Sequence, residues 1–178
     1  TVSFLFFLNG CGYRFGQGSI PSTYQTISVP YICGDEEGIF TAAVIREFEQ
    51  AGGLRVVDSG AQLTAQINLV DLSDENIGFR YDRKSGGKLT HHIIPTETRM
   101  IATARFSVVD VCGCKTILGP VVLTASVDFD HDYYTSRNGV NVFSLGQLND
   151  IDGARSAVVV PLSRALARKI VEYINESW

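Results

Sequence analysis

The chain has 178 residues, enough for one domain or one domain with a tail. Hydrophobic residues make up 45% of it and the formal net charge is −4. A real core can form, while the basic stripe of a nucleic-acid binder and the composition of a disordered acidic tail are both missing. No run of apolar residues reaches the roughly 18 that a membrane-spanning helix requires.

Phe4-Leu5-Phe6-Phe7-Leu8 reads as the end of the apolar stretch of a secretory signal. Leu8-Asn9-Gly10-Cys11 follows and resembles the bacterial lipobox, with Asn9 where a small apolar residue is usual. The Cys11 thiol would take a diacylglycerol and its freed amino group a further acyl chain. Residues 1–10 are therefore expected to be the remnant of a signal peptide, absent from the mature protein. Residues 11–22, Gly-rich, polar and containing Pro21, are expected to be a lipidated tether. Each buried CH₂ contributes roughly 0.8 kcal/mol and one chain anchors only marginally, so three chains on Cys11 would hold the domain to a membrane.

Export implies an oxidising compartment, which gives the other cysteines, Cys33, Cys112 and Cys114, a meaning. An odd number cannot all pair, and a bridge across Cys112-Gly113-Cys114 would close a small, strained ring. Pairing of Cys33 with either of the other two stays open. A three-cysteine zinc site lacks the usual ligand spacing.

In chain order, Thr23 to Ile32 alternates and is rich in β-branched residues, predicting a strand. Asp35, Glu36 and Glu37 then precede a helix predicted over Ile39–Ala51, where acids favour the positive helix end. Phe40, Val44, Phe48 and Ala51 form its apolar face, and Gly52-Gly53 ends it. Leu54–Val57 predicts a short strand. Ala65, Ile67 and Leu69 alternate with polar residues in a strand that runs on toward Tyr81. Asp82 to Lys88 has turn composition, and Tyr81–Pro95 reads as an insertion-like loop.

Thr98 to Val108 is the cleanest pattern: Met100, Ala102, Ala104, Phe106 and Val108 share one face. The alternation reverses at Val109 and Val111, predicting a bulge, and Gly113–Gly119 is expected to turn the chain. Leu123, Ala125, Val127 and Phe129 define a strand with one wet face. His131 to Asn149 reads as a polar loop. The last helix is predicted over Asp150–Asn175, with Val159, Leu162, Leu166, Ile170 and Ile174 on its buried stripe and a kink or boundary at Pro161. The fold class is α+β: residues 23–178 form one domain, a single antiparallel or mixed sheet of four to five strands with two helices packed on one face.

Cys11-Gly12-Tyr13, Gly18-Ser19-Ile20-Pro21 and Thr26-Ile27-Ser28-Val29-Pro30 resemble the lipidated start, tether and first strand of the LPS-assembly lipoprotein family (LptE-like). Glu97-Thr98-Arg99-Met100 and Asp128-Phe129-Asp130-His131-Asp132-Tyr133 fit its strand pair and the approach to its last helix. The resemblance implies an outer-membrane lipoprotein on the periplasmic face, held by its lipid anchor. It also implies a large outer-membrane β-barrel translocon as partner, lipopolysaccharide (LPS) as cargo, no cofactor and no catalysis. The extra cysteines and the Tyr81–Pro95 loop depart from the pattern.

Lipopolysaccharide carries phosphates and often acidic sugars, so a protein handling it needs converging cations at an accessible edge. Arg80, Arg83, Lys84 and Lys88 form the one dense basic cluster, around a Gly-rich hairpin tip with Asp82 among them. They are the candidate glycolipid contacts, and the resemblance points the same way, since basic residues near this hairpin are implicated in the family. The plain alternative is a solvated turn whose charges keep a strand edge from aggregating. His91-His92 and the acids around His131 lack calcium-loop spacing, and no nucleophile elbow, His-Glu-x-x-His or phosphate loop occurs. The competing function is an envelope scaffold or secretion-system assembly lipoprotein that never touches glycolipid. If the basic hairpin and the chain after Phe129 share one end of the domain, the ligand or barrel role gains. A plug of this kind needs no deep apolar cavity of ligand size.

Overall fold

The computed structural model describes residues 18–83, 88–131, 136–137, 140–141 and 151–177. Cys11, residues 1–10, Lys84 and most of the tether and of the loop after His131 lie outside these.

A mixed five-stranded sheet forms the frame, from β1 (Thr26–Ser28), β2 (Arg55–Val56), β3 (Leu63–Arg83), β4 (Leu89–Asp110) and β5 (Lys115–Asp130), in the order β2-β1-β3-β4-β5. β1 runs parallel to both β2 and β3, whereas β3–β4 and β4–β5 are antiparallel. A separate two-stranded pair joins β6 (Ser136–Arg137) and β7 (Val140–Asn141). Three helices, α1 (Ser19–Thr23), α2 (Ile39–Ala51) and α3 (Ile151–Glu176), complete the α+β fold.

The period-2 patterns decide which sheet face is dry. Met100, Ala102, Ala104, Phe106 and Val108 of β4 are all buried, and so are Leu63, Ala65 and Ile67 of β3 and Ala125 and Phe129 of β5. Phe48 of α2 and Leu162, Leu166, Ile170 and Ile174 of α3 close over them in one cluster. Burial of apolar surface at about 25 cal/mol per Å² is the main stabilising term. Val159 is half-buried while Ala154 and Val158 are buried, so the stripe of α3 starts at Ala154 and passes through Val158 in place of Val159. Asp35 fixes the start of α2: its Oδ2 accepts from the Thr41 backbone N–H at 2.7 Å and from the Thr41 hydroxyl at 2.7 Å, satisfying one donor that the helix itself leaves free.

Several boundaries move. The predicted strand over Thr23–Ile32 contracts to three residues, and Ser19–Thr23, the end of the expected tether and the first residue of that strand, is a short helix. Gly18 and Ser19 donate their N–H groups to the carbonyls of Asn175 and Ser177, so this helix is moored to the end of α3. The turn expected over Gly113–Gly119 lies at residues 111–114, and the strand β5 already starts at Lys115. The bulge lies slightly earlier than expected: register shifts fall between Phe106 and Val108 and between Val108 and Val109, where β5 carries the extra residues. Pro161 sits inside α3 without ending it.

The largest difference concerns Tyr81–Pro95. Among its described residues this segment is strand on both sides, because β3 continues to Arg83 and β4 begins at Leu89.

Candidate functional site

β5 ends at Asp130, which stands opposite Glu97 of β4. Beyond that pair β3 and β4 continue as a ribbon through Phe79↔Pro95, Arg80↔Ile94, Tyr81↔Ile93 and Arg83↔Leu89. The eight steps from Glu97 to Leu89 carry the ribbon about 27 Å past the end of β5, at about 3.4 Å per residue. Gly78 marks where it leaves the body: a Cβ there would lie 2.5 Å from the Glu97 Cβ, so only glycine permits the approach. Register shifts on either side of Gly78 make it an irregular joint in the ladder.

The ribbon has two unlike faces. Phe79, Tyr81 and Ile93 alternate onto one face with Leu89, and all four are more than half exposed. Arg80 lies on the other face, opposite the buried Ile94, which is 5% exposed. Arg80 and Asp82 are each already engaged in a contact within the protein. Arg83 closes β3 and Lys88, which is exposed, immediately precedes β4, so these two flank the tip. The predicted basic cluster thus divides: Arg83 and Lys88 belong to the tip, and Arg80 sits about 10 Å back along the strand, at three steps. The apolar strip escapes sequence reasoning, although the alternation of Phe79, Tyr81 and Ile93 carried its signal.

Polar contacts brace the arm's root. Arg99 grips Asp128 through Nε–Oδ1 at 2.7 Å and a second nitrogen to Oδ2 at 2.8 Å. Those hydrogen bonds, with the guanidinium charge, hold the Asp128 carboxyl below the usual carboxylate range against a smaller opposing effect of desolvation. Arg155 of α3 reaches Asp74 of β3 at 2.7 Å. Inside, Thr98 donates to Asn76 Oδ1 at 3.0 Å and lies 2.8 Å from His131 Nε2. With its one hydroxyl proton given to Asn76, Thr98 accepts from a protonated Nε2. His131 Nδ1 is then a buried acceptor with no partner among the described residues. Asp128 and His131 are turned apart: Asp128 is exposed beside Arg99, and His131 is buried beside Thr98.

β5 runs toward the arm and stops at its root, so Asp130 and His131 lie at the hairpin's end of the domain, and most of the loop beyond lies outside the described residues. A hollow of about 540 Å³ opens between the loop before α2, the β3–β4 face and the start of α3, walled by Leu72, Met100 and Val159 and rimmed by Glu36, Glu37 and Asp152. It is open to solvent and its lining is as polar as it is apolar, with Arg155 among the acids, so it is not a deep apolar cavity. Cys33 cannot reach Cys112 or Cys114. It pairs across from Asn68, whereas Asp110 pairs with Leu63, and five strand steps make about 17 Å against a disulfide limit near 7 Å between Cα atoms. Among the described residues no helix is long and apolar enough to cross a membrane.

A family model described as LptE, lipopolysaccharide-assembly, matches residues 24–174. No curated protein sequence matches the chain. Among solved structures, a minor lipoprotein of Acinetobacter baumannii is 14% identical, with 85% of this chain and 90% of that one covered at a TM-score of 0.49. The rare lipoprotein B of Shewanella oneidensis is 13% identical, with 84% and 90% covered at a TM-score of 0.44. An uncharacterised lipoprotein B of Nitrosomonas europaea is 8% identical, with 85% and 83% covered at 0.49.

Proposed function

The chain belongs to the LptE lipopolysaccharide-assembly family, and we propose that it is an outer-membrane lipoprotein, anchored through Cys11 on the periplasmic face, that works without catalysis. In this reading, residues 1–10 are removed, residues 11–22 carry the lipid and join the membrane to the folded part, and the β3–β4 arm is the working end. The protein supports a large β-barrel translocon and helps it deliver lipopolysaccharide to the outer leaflet.

The observation that carries the reading is the arm itself, a ribbon that outruns its sheet by about 27 Å and begins where β5 ends at the Glu97–Asp130 pair. Arg83 and Lys88 flank its tip, and Phe79, Tyr81 and Ile93 line one of its faces. Lipopolysaccharide has the matching duality of anionic headgroup and acyl chains. Arg can hold a phosphate through two parallel hydrogen bonds, and Lys adds a point charge. The same projecting shape suits insertion into a barrel lumen, where a flat-ended sandwich would find little to touch.

Purification of the tagged, full-length lipoprotein from detergent-solubilised membranes tests the partner. The reading expects an outer-membrane β-barrel to copurify in equal amount. Recovery of the lipoprotein without any barrel would favour a scaffold that works elsewhere in the envelope.

A further inference from the structure

Three exposed cysteines are left over by the reading above, and two of them share one turn. Cys112 and Cys114 sit in the residues that join β4 to β5, and neither belongs to the hydrophobic core. Cys33 is about 17 Å of strand away, so it cannot be the partner of either. A bridge between Cys112 and Cys114 themselves is within reach, since two residues of chain span at most about 7 Å. It would close a very small ring and store strain, which makes a disulfide easy to reduce. These thiols therefore serve neither packing nor a stable structural bridge.

The turn is held in shape by groups other than sulfur. Asp110 Oδ1 accepts from the backbone N–H of Cys112 at 3.0 Å and of Gly113 at 3.3 Å, and Tyr24 donates its hydroxyl to Asp110 Oδ2 at 3.3 Å. Gly113 is fitted closely: a Cβ on it would stand 3.1 Å from Asp110 Oδ2. The Cys114 thiol is directed to the Val111 carbonyl at 3.8 Å. The two exposed cysteines thus stand two residues apart on a turn braced by groups that do not depend on their oxidation state.

We propose that the Cys112-Gly113-Cys114 turn is a thiol–disulfide exchange site acting on a disulfide of a partner polypeptide. The Cys112 thiolate attacks one sulfur of that disulfide. A bond forms between Cys112 and the partner, the partner's S–S bond breaks, and the other partner sulfur leaves as a thiolate that takes a proton from water. A second partner thiolate then attacks its own sulfur in the mixed disulfide and releases the Cys112 thiolate. The net result is a rearranged partner disulfide with no electrons gained or lost. When rearrangement stalls, the Cys114 thiolate attacks the Cys112 sulfur and expels the partner. Two electrons pass to the partner in that escape, and the strained Cys112–Cys114 disulfide regains two when another partner dithiol attacks it and is itself oxidised to a disulfide. Only the compartment, one in which partner disulfides exist, is taken from the proposed function.

The turn lies at the opposite end of β4 from the arm tip, about 70 Å away over 21 strand steps, so the two sites are separately testable. The test uses the reduced full domain and scrambled ribonuclease as the disulfide probe, with recovery of ribonuclease activity as the readout. Wild-type protein and Cys33→Ser should both accelerate recovery about tenfold over the double variant Cys112→Ser/Cys114→Ser. Cys114→Ser should accumulate a covalent adduct on Cys112, visible by mass spectrometry and lost on reduction. Recovery no faster than with the double variant, or a rate abolished by Cys33→Ser instead, would overturn the proposal. The assay contains no glycolipid, so its failure leaves the reading of the arm standing.

Discussion

Glu97 of β4 and Asp130 of β5 face each other as the last residue pair of their ladder, and the β3–β4 ribbon starts where that pair ends. The three-stranded part of the sheet is backed by helices, whereas the ribbon outside it carries Phe79, Tyr81, Leu89 and Ile93 more than half exposed. Isolated two-stranded ribbons are marginal in water. The arm therefore depends on contacts at its root, and its exposed strip marks it for contact with something else.

The body below the arm depends on two aromatic side chains. Phe106 is 1% exposed and meets Tyr173 edge-on at 5.8 Å between ring centroids, and Phe129 is 9% exposed. Phe106→Ala or Phe129→Ala should each cost about 3–5 kcal/mol in a denaturant melt, as deletion of a buried aromatic ring does. A loss under about 1 kcal/mol would contradict the assigned sheet faces, which a one-residue slip would exchange.

At the arm's root, the Asp128 carboxyl ionises more readily in the folded protein than in the unfolded chain, because Arg99 hydrogen-bonds to both its oxygens. Its contribution to stability is complete above the unfolded carboxylate pKa, near 4. It is lost as pH falls through the lower folded value. Both partners are well exposed, so the effect is small. In urea melts, wild type should exceed Asp128→Asn at about pH 6, and the gap should close at about pH 2. A gap that widens on acidification would contradict this.

The interior contact at the same level is less forgiving. Thr98→Val keeps the shape but removes the donor to Asn76 and the acceptor for His131. His131 is buried and loses its partner, which costs about 1–3 kcal/mol, whereas the exposed Asn76 can turn to water. Faster hydrogen exchange should follow at the His131 amide, which bonds to the Thr96 carbonyl. Unchanged exchange and an unchanged melt would show that the network does not brace the arm.

Much of this architecture is written in the residue pattern. Met100 to Val108 and Leu123 to Phe129 alternate strictly because one face of each strand is buried and the other wet, and both helices show their stripes for the same reason. Of the arm, only the β3 half up to Tyr81 is legible in that way. Leu89–Pro95 has apolar Ile93 and Ile94 on opposite faces and a proline within it, so neither alternation nor composition signals a strand. Gly119-Pro120 reads as a break but is absorbed into β5 at the bulge. The basic cluster was visible as composition. That Arg80 turns to the face of Ile94 depends on the register past Gly78, which no local pattern encodes.

Cys11→Ala removes the proposed acylation site. The variant should move from the membrane to the soluble periplasmic fraction, because three acyl chains would be its main hold on the bilayer. Complete retention on membranes after a high-salt wash, in cells lacking the barrel partner, would contradict the anchor.

The central claim is that the arm tip meets lipopolysaccharide. The most direct measurement is the affinity of the folded Arg83→Glu/Lys84→Glu variant for purified lipopolysaccharide at low ionic strength. Charge-assisted hydrogen bonds to phosphate contribute about 1.5–3 kcal/mol when partly shielded. Binding should weaken at least about tenfold, or roughly 1.4 kcal/mol, with a circular dichroism spectrum like that of the parent. The difference should shrink as salt screens the exposed charges. An affinity equal to that of the parent at low salt would contradict the claim and leave the tip as a solvated turn.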